Sequence, residues 1–335
     1  MFERVTILGA GSWGLGIAHV LNRAGLKMTM WEFDPAECAT LVRERTIPGK
    51  LPGFHLPESV HVTADLQEAL ANTQLVLLAV PAQTLRSVVK NVNQLLPSGI
   101  GIVNLAKGIE VDSLKRMSQV ILEERGDTKT PVATISGPSH AEEVVRDMPT
   151  TVVVAGQPDS FVEAVQESFS TSTFRVYKSH DLVGVELGGS LKNIIAISAG
   201  ISSGLGLGDN TLGALITRGL AEISRLGLAM GASTETFAGL SGIGDLVTTC
   251  ASRHSRNRFV GEAIGRGKSL QEVLQGMKMV AEGVQTARSG HRLARMYDVE
   301  MPITQQVHEV LFEGKAPSRA VGDLMERSLK EEVWQ

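Results

Sequence analysis

Cysteine is scarce in this chain. Only Cys38 and Cys250 occur, far apart and outside any metal-ligand spacing, so both are expected to pack as free thiols in a reducing compartment and no metal site is expected. An excess of basic residues is missing as well: 32 Lys and Arg against 36 Asp and Glu leave a net charge of -4, which offers no basic face to nucleic acid. No clean apolar run of membrane-spanning length is present. The most apolar long stretch, Leu191 to Leu207, carries Lys192, Asn193 and several glycines and serines, and reads as a buried helix rather than a membrane span. The first strand begins by Val5, which leaves no room for a signal peptide, and a cytoplasmic location is expected. Internal repeats and low-complexity tracts are absent too. What remains, 43% apolar and 20% charged over 335 residues, suits a globular protein with two cores.

The glycines are where the chain becomes specific. Val5-Thr6-Ile7-Leu8 is a β-branched and apolar run that breaks into Gly9-Ala10-Gly11-Ser12-Trp13-Gly14, a G-x-G-x-x-G segment, and a helical pattern follows from Ile17 to Asn22. Gly9 permits the tight turn, Gly11 lets backbone approach a pyrophosphate, and Gly14 lets helix and strand pack closely. The new helix start then presents free N–H groups and its positive dipole end to the phosphates. Glu32 ends the second strand about 20 residues on, where the dinucleotide fingerprint places an acid for the ribose. A nicotinamide or flavin site is expected here; a glycine turn in some other α/β unit is the competing reading.

Alternation of strand and helix continues to about residue 178, with strands predicted at Val5–Leu8, Lys27–Trp31, Leu75–Ala79, Ile100–Asn104, Val132–Ile135, Thr151–Ala155 and Phe174–Tyr177. Helical patterns lie between them, as at Gln83–Leu96 and Ser113–Glu124. Leu75 to Val80 is continuously apolar, as in a parallel strand buried on both faces. The fold class is therefore α/β, with an N-terminal Rossmann-type doubly wound sheet and right-handed crossovers. Thr46 to Pro57, with three prolines and two glycines, is a loop that interrupts this pattern. Beyond His180 the strands stop, and 181–203, 210–230, 255–265, 282–297, 303–312 and 318–330 show helical period. Asp181 and Asn210 are expected N-caps, Gly208 and Gly231 expected stops. The expected division is a dinucleotide-binding domain over 1–180 and an all-helical substrate domain over 181–335, packed firmly, with the site between them at the carboxyl ends of the strands.

Four polar clusters interrupt apolar or glycine-rich surroundings. Lys107, in Asn104-Leu105-Ala106-Lys107-Gly108, follows a strand end and is expected to point into the ligand crevice, with a solvated loop lysine as the competing reading. In Ser136-Gly137-Pro138-Ser139-His140-Ala141-Glu142, Pro138 suits a first helical turn and Ser139 can bind anionic groups. His140 has the chemistry of a general acid/base, although a histidine at a helix start is more often structural. Lys192 and Asn193 stand in a largely apolar helix after Gly188 and Gly189. A buried lysine is costly unless paired or working, and desolvation moves its pKa toward the range useful for proton transfer; a lysine snorkelling out of a core helix is the competing reading. Each glycine weakens a helix interior by roughly 1 kcal/mol relative to alanine, which implies a close approach there. Finally, Asp245 sits in a glycine turn, Gly242-Ile243-Gly244-Asp245-Leu246, ahead of Ser255-Arg256-Asn257-Arg258. Arg256, Ser255, Asn257 and a helix N-terminus can hold phosphate, while a solvated basic face is the plainer reading of Arg256 and Arg258. Together these groups describe reduction of a small phosphorylated ketone, or oxidation of the matching alcohol.

Taken in order, these motifs, with Leu187 to Asn193, Glu282-Gly283 and Met301-Pro302-Ile303-Thr304, closely resemble the bacterial-type NAD(P)-dependent glycerol-3-phosphate dehydrogenase family over essentially the whole chain. The resemblance implies hydride transfer between a nicotinamide cofactor and dihydroxyacetone phosphate or sn-glycerol 3-phosphate, supplying glycerol 3-phosphate for phospholipid synthesis. It implies Lys192 as general acid/base, Lys107 as a second substrate lysine that also meets the cofactor, and Asp245 at the hydroxyl end of the substrate. Gly137 and Ser139 would touch substrate. Ser255, Arg256 and Asn257 would hold its phosphate, with Arg256 also near the cofactor. Ser12, Trp13, Ala141, Val280 and Glu282 match cofactor-lining positions. The resemblance further implies a helical domain of the 6-phosphogluconate dehydrogenase type, usually in a homodimer. One departure bears on the cofactor: Trp31-Glu32-Phe33-Asp34 puts carboxylates where family members that use NADPH tend to carry basic or neutral residues, which favours NAD. The competing functions are a β-hydroxyacid or phosphogluconate-type dehydrogenase and a non-catalytic nicotinamide-binding sensor.

Overall fold

The computed structural model describes residues 2–127, 129–329 and 331–332. Eight strands form one sheet: β1 (Arg4–Leu8), β2 (Lys27–Trp31), β3 (His61–Thr63), β4 (Leu75–Leu78), β5 (Gly101–Asn104), β6 (Val132–Ser136), β7 (Thr150–Gln157) and β8 (Phe174–Ser179). Their spatial order is β3-β2-β1-β4-β5-β6-β7-β8. Helices α1 (Ser12–Arg23), α2 (Pro35–Glu44), α3 (Leu66–Leu70), α4 (Leu85–Asn93), α5 (Met117–Arg125), α6 (Ala141–Val144) and α7 (Asp159–Phe169) connect them. The chain order reverses at β1, whose neighbours are β2 on one side and β4 on the other, so the crevice of a doubly wound sheet opens above the β1 glycines. β1, β4 and β5 are buried along almost their whole length, as the continuously apolar β4 segment requires.

Two features depart from the sequence reading. The sheet is not wholly parallel, because β7 runs antiparallel to β6 before β8 resumes parallel to β7. A parallel return needs a crossover long enough to run back along the sheet, and α6 is a single short turn. Strand β3 carries almost no sequence signal: it is three residues long, with Val62 its one apolar residue.

After β8 the chain is helical: α8 (Leu182–Gly204), α9 (Asp209–Ala229), α10 (Thr234–Phe237), α11 (Asp245–Ala251), α12 (Arg256–Gly265), α13 (Leu270–Gln275), α14 (Glu282–Met296), α15 (Pro302–Phe312) and α16 (Pro317–Met325). Asp181 caps α8 as expected, its carboxylate accepting from the Gly184 N–H at 2.8 Å. Asn210 is not a cap and Gly208 is not a stop: α8 ends at Gly204, and Gly208 is itself the N-cap of α9, with Asp209 in the first turn. Gly231 ends α9 in the left-handed region, φ 89°. Asp245 opens α11 rather than sitting within a turn.

α8 is the axis of the helical half. It has the length and composition of a membrane span, yet 89% of its most apolar window is buried inside the protein. Glycines let α12 lie against it. A Cβ on Gly200 would fall 2.0 Å from the Arg258 carbonyl oxygen, and one on Gly261 would fall 2.0 Å from that of Ile197. With Asn257 bonded to Asn193 at the near end and Gly265 against Gly204 at the far end, the two helices run in the same direction. The N-terminus of α12 therefore stands level with Lys192.

Candidate active site

The glycine loop has the geometry its spacing implies. Gly9 is left-handed, φ 107°, and a Cβ there would lie 2.8 Å from the Ala79 carbonyl oxygen. A Cβ on Gly14 would lie 2.1 Å from the Gly9 carbonyl oxygen, so this position brings α1 directly onto the turn. At Gly11, the N-cap of α1, an added Cβ meets nothing within 4 Å, which leaves open space before the helix N-terminus. The Trp13 indole N–H is buried without a partner among the described residues. Ala141 packs on the same helix, its Cβ 3.2 Å from where a Gly16 Cβ would stand. These are the features of a seat for a pyrophosphate.

At the end of β2, the Glu32 carboxylate is buried and accepts from the backbone N–H groups of Ala10 and Asp34, each at 3.1 Å. Its position beside the glycine loop agrees with a ribose-binding acid. A residue not singled out in the sequence joins it. The Lys50 ammonium lies 3.5 Å from Glu32 and 2.5 Å from Glu37, and the Lys50 carbonyl accepts from the Ser12 hydroxyl. Lys50 belongs to the proline-rich loop, which is pinned down by buried Ile47, Leu51, Phe54 and Leu56. The same Ser12 hydroxyl lies 3.1 Å from the Met279 sulfur, so segments from both halves of the chain meet over the start of α1. Periodicity gives no sign that this loop folds back onto Glu32.

On the far side of the crevice stand three charges, two of them buried and Lys107 half-buried. Lys107, after β5, donates to Asp245 Oδ2 and to the Gly137 carbonyl, both at 2.8 Å. Lys192, on α8, donates to Asp245 Oδ1 and at 2.6 Å to the Thr249 hydroxyl. One carboxylate thus bridges two lysines that come from opposite halves of the chain. Lys192 is 5% exposed and Asp245 1%. Burial, with the nearby Lys107 charge, pushes the Lys192 ammonium down to about 8 although Asp245 pulls the other way. Burial alone would raise Asp245; the charges and hydrogen bonds of Lys107 and Lys192 outweigh it and hold the carboxyl below the ordinary aspartate value. Thr249, one turn after Asp245 on α11, becomes visible as a partner only once that segment is known to be helical.

The remaining candidates surround this cluster. Gly188 and Gly189 do mark a close approach: a Cβ on the first would strike the Ser241 carbonyl oxygen at 2.4 Å, and one on the second would lie 2.4 Å from the Ser136 hydroxyl. The Asn193 amide donates to the Lys107 carbonyl at 3.2 Å and accepts from the Asn257 amide at 2.8 Å. The Asn257 side-chain carbonyl in turn accepts from Gly283 N–H at 2.9 Å. The Asn257 side chain is therefore turned inward, between Asn193 and Gly283. Ser255 caps α12 by accepting from Arg258 N–H at 3.2 Å, and its neighbour Arg256 is exposed and donates to the Val280 carbonyl at 2.9 Å. The Ser139 hydroxyl donates to the Gly137 carbonyl at 3.0 Å. Glu282, at the start of α14, accepts from Ala82 N–H at 2.9 Å through one oxygen and keeps the other buried without a partner among the described residues; burial raises its carboxyl. Burial and the two lysines lower the His140 imidazole, which keeps it neutral at physiological pH and unsuited to donating a proton. Every sequence-derived candidate except Glu32, Ala141 and the glycine loop thus gathers along one face of the crevice, between the strand ends and α8, α11, α12 and α14.

Residues 4–162 match the family model for the NAD-dependent glycerol-3-phosphate dehydrogenase N-terminus, and residues 181–322 match that for its C-terminus. The chain is 51% identical over 334 residues to the glycerol-3-phosphate dehydrogenase (NAD(P)+) of Pelotomaculum thermopropionicum, covering 99% of this chain and 96% of that relative. It is 49% identical over 330 residues to the protein of that name from a Thermoanaerobacter species, covering 98% and 99%. Among solved structures, glycerol-3-phosphate dehydrogenase from Coxiella burnetii superposes with a TM-score of 0.94 at 39% identity, over 97% of this chain and 99% of that one. A D-mandelate dehydrogenase superposes with a TM-score of 0.64 at 11% identity, a likeness of fold alone.

Proposed function

The chain belongs to the NAD-dependent glycerol-3-phosphate dehydrogenase family, and we propose that Lys192 moves the proton in the reaction that this membership assigns it. It is an NAD(P)-dependent oxidoreductase that interconverts sn-glycerol 3-phosphate and dihydroxyacetone phosphate. The observation that carries the assignment of roles is the bridge of Asp245 between Lys192 and Lys107, buried at the strand ends.

Reduced nicotinamide, when bound, supplies hydride to the ketone carbon. As an ammonium, Lys192 holds the proton that the ketone oxygen needs on reduction; as an amine, it takes the hydroxyl proton on oxidation. With its pKa lowered to about 8, both forms are populated close to neutral pH, which is where proton transfer in either direction is most effective. Lys107 brings a second positive charge to the same oxygen. Asp245 orients both amines and is the acceptor within reach of the substrate's hydroxyl end. Gly137 and Ser139 line the adjoining strand end. The phosphate falls to Arg256, Ser255 and the free N–H groups of α12, with Asn257 fixing that helix against Asn193 and Gly283.

Residues that would hold the cofactor are Gly9, Gly11, Ser12, Trp13 and Gly14 at the pyrophosphate, Glu32 with Lys50 at the ribose, and Ala141, Val280, Glu282, Lys107 and Arg256 along the crevice. The Glu32 and Glu37 carboxylates support a preference for NAD, tempered by Lys50. The two halves, 1–180 and 181–335, act as cofactor and substrate domains of a cytoplasmic homodimer that supplies glycerol 3-phosphate for phospholipid synthesis. The test is the initial rate of reduced-nicotinamide oxidation by dihydroxyacetone phosphate, with NADH and NADPH run in parallel. Turnover with Lys192 intact and its loss in Lys192→Ala is the expected result; equal rates in both proteins would remove the assigned role.

A further inference from the structure

A second buried acid, outside the reacting cluster, lies on a continuous path from one lysine to the other. Glu186 stands on α8 ahead of Lys192, its side chain 3% exposed. One carboxylate oxygen accepts from Ser118 N–H at 2.8 Å and from the Thr134 hydroxyl at 3.2 Å. The other accepts from the Ser118 hydroxyl at 2.6 Å and from the Arg116 guanidinium. Thr134, on β6, accepts from the Asn104 amide at 3.3 Å. Asn104 in turn shapes the turn that carries Lys107, bonding both the N–H and the carbonyl of Ala106 at 3.0 Å. One side chain thus ties α8 to the start of α5, to β6 and, through β6, to the loop of Lys107.

A buried ion pair is weak support for stability, since a well-packed apolar group of similar size is often as good; its better-attested use is fixing register. Register is what this site needs. Lys192 and Asp245 belong to the helical half and Lys107 to the other, so a slide of α8 along β6 would part the lysines while leaving Lys192 with its carboxylate. The Gly189 position, where even a Cβ would crowd Ser136, leaves little room for α8 to resettle.

We propose that Glu186 is a positioning residue for the reaction: held by Arg116, Ser118 and Thr134, it sets α8 against β5 and β6 so that Lys192 and Lys107 meet the same carboxylate. This rests on the roles proposed for the two lysines.

The experiment compares the full-length wild type with Glu186→Ala and Glu186→Gln, the latter keeping an acceptor for Ser118 while losing the charge that holds Arg116. Glu186→Ala is expected to lower kcat roughly 10²-fold, the scale of a small misplacement of reacting groups, with KM for NADH changed less than about twofold because the glycine loop is untouched. Glu186→Gln should recover part of kcat. The groups facing Lys192 are Asp245, Cys250 and Thr249 on α11, Lys107, and His140. Losing only the repulsion from Lys107 raises the Lys192 pKa, so the alkaline limb of the reduction profile should move upward in both variants. A merely structural role would reduce the folded fraction and scale kcat at every pH with the profile unmoved; that outcome, or a wild-type profile in Glu186→Gln, overturns the proposal. If the alanine variant does not fold, the glutamine variant decides. Acylation of Lys192 against pH, read by peptide mass spectrometry, follows the same titration without turnover, so a wild type inactive on dihydroxyacetone phosphate would remove the proposed function alone.

Discussion

The two walls of the crevice are built on opposite principles. The cofactor wall works by leaving side chains out: Gly9 and Gly14 sit where a Cβ would strike backbone, and Gly11 faces space that a side chain would narrow. The substrate wall works by putting charge where charge is costly, with Lys192 and Asp245 almost wholly buried. The glycine positions rest on main-chain geometry; the second wall is tuned by electrostatics, and each member depends on the others. Substitutions should therefore separate the walls, with chemistry failing on one side and cofactor affinity on the other.

The largest separation is expected from Lys192→Ala. General acid–base groups contribute typically about 10²–10⁴-fold, and kcat should fall by that order while the Kd of NADH, measured by fluorescence titration, stays within about twofold. A parallel loss of affinity would mean the walls are not independent. The wild-type pH dependence follows from the same group. Reduction requires the ammonium and should decline as pH rises through about 8, whereas oxidation requires the amine and should climb through the same region. Profiles of equal sign in the two directions would take the proton from another residue.

Asp245→Asn comes next. It leaves the buried Lys192 ammonium and the half-buried Lys107 ammonium without their carboxylate, at a cost of about 3–5 kcal/mol in stability by analogy with broken buried pairs. Asp245 is what raises Lys192 against burial and Lys107, so without it the Lys192 pKa should drop below about 8. The alkaline limb of reduction would then move to lower pH. Its displacement in the other direction would show that Asp245 acts on the substrate rather than on the lysine.

How much of this was open to inspection beforehand differs between the walls in the same way. β2 is legible to the residue and α8 to within one residue at each end, because both carry long regular signals. The glycine loop is legible because its constraint is local: spacing alone implies the turn. Lys107, Lys192 and Asp245 stand out as charges in apolar or glycine-rich surroundings, but nothing in the spacing says that one carboxylate joins both lysines, a contact between opposite halves of the chain. Lys50 and Glu186 carry no local signal for the same reason, since the partners of each lie beyond its own element. The reversal of β7 was hidden because strand direction is set by the length of the connecting helix, and that helix is a single turn. Asn257 shows a contact that spacing does not give. A helix-start asparagine reads as a phosphate ligand, and only the bonds to Asn193 and Gly283 reveal that its amide faces inward.

A smaller effect, and a cleaner one, should come from pairing Gly11→Ala with Gly14→Ala. The second forces a Cβ onto the Gly9 carbonyl and should cost about 1–3 kcal/mol as overpacking, visible as a lower Tm without any ligand. The first meets nothing in the protein, so Tm should hold while KM for NADH rises about tenfold. Unchanged KM in Gly11→Ala would place the pyrophosphate elsewhere along α1.

A change no larger tests whether the cofactor wall is as free of electrostatics as its glycines suggest. Glu32 after β2 and Glu37 in the first turn of α2 are two carboxylates, and Lys50 answers both. A 2′-phosphate would meet those carboxylates, but it would also meet an ammonium already in place, so the discrimination against NADPH is the difference between two opposed Coulomb effects. Glu32→Gln preserves the acceptor for Ala10 and removes one charge; it should raise the ratio of kcat/KM for NADPH over NADH by about tenfold, roughly 1.4 kcal/mol. Lys50→Ala should move the same ratio the other way. If neither substitution moves it, charge at the end of β2 does not choose the cofactor, and this wall is a matter of backbone alone. If both do, the difference between the walls is one of degree: the ribose end is tuned by the same means as the lysines, with solvent closer at hand to weaken it.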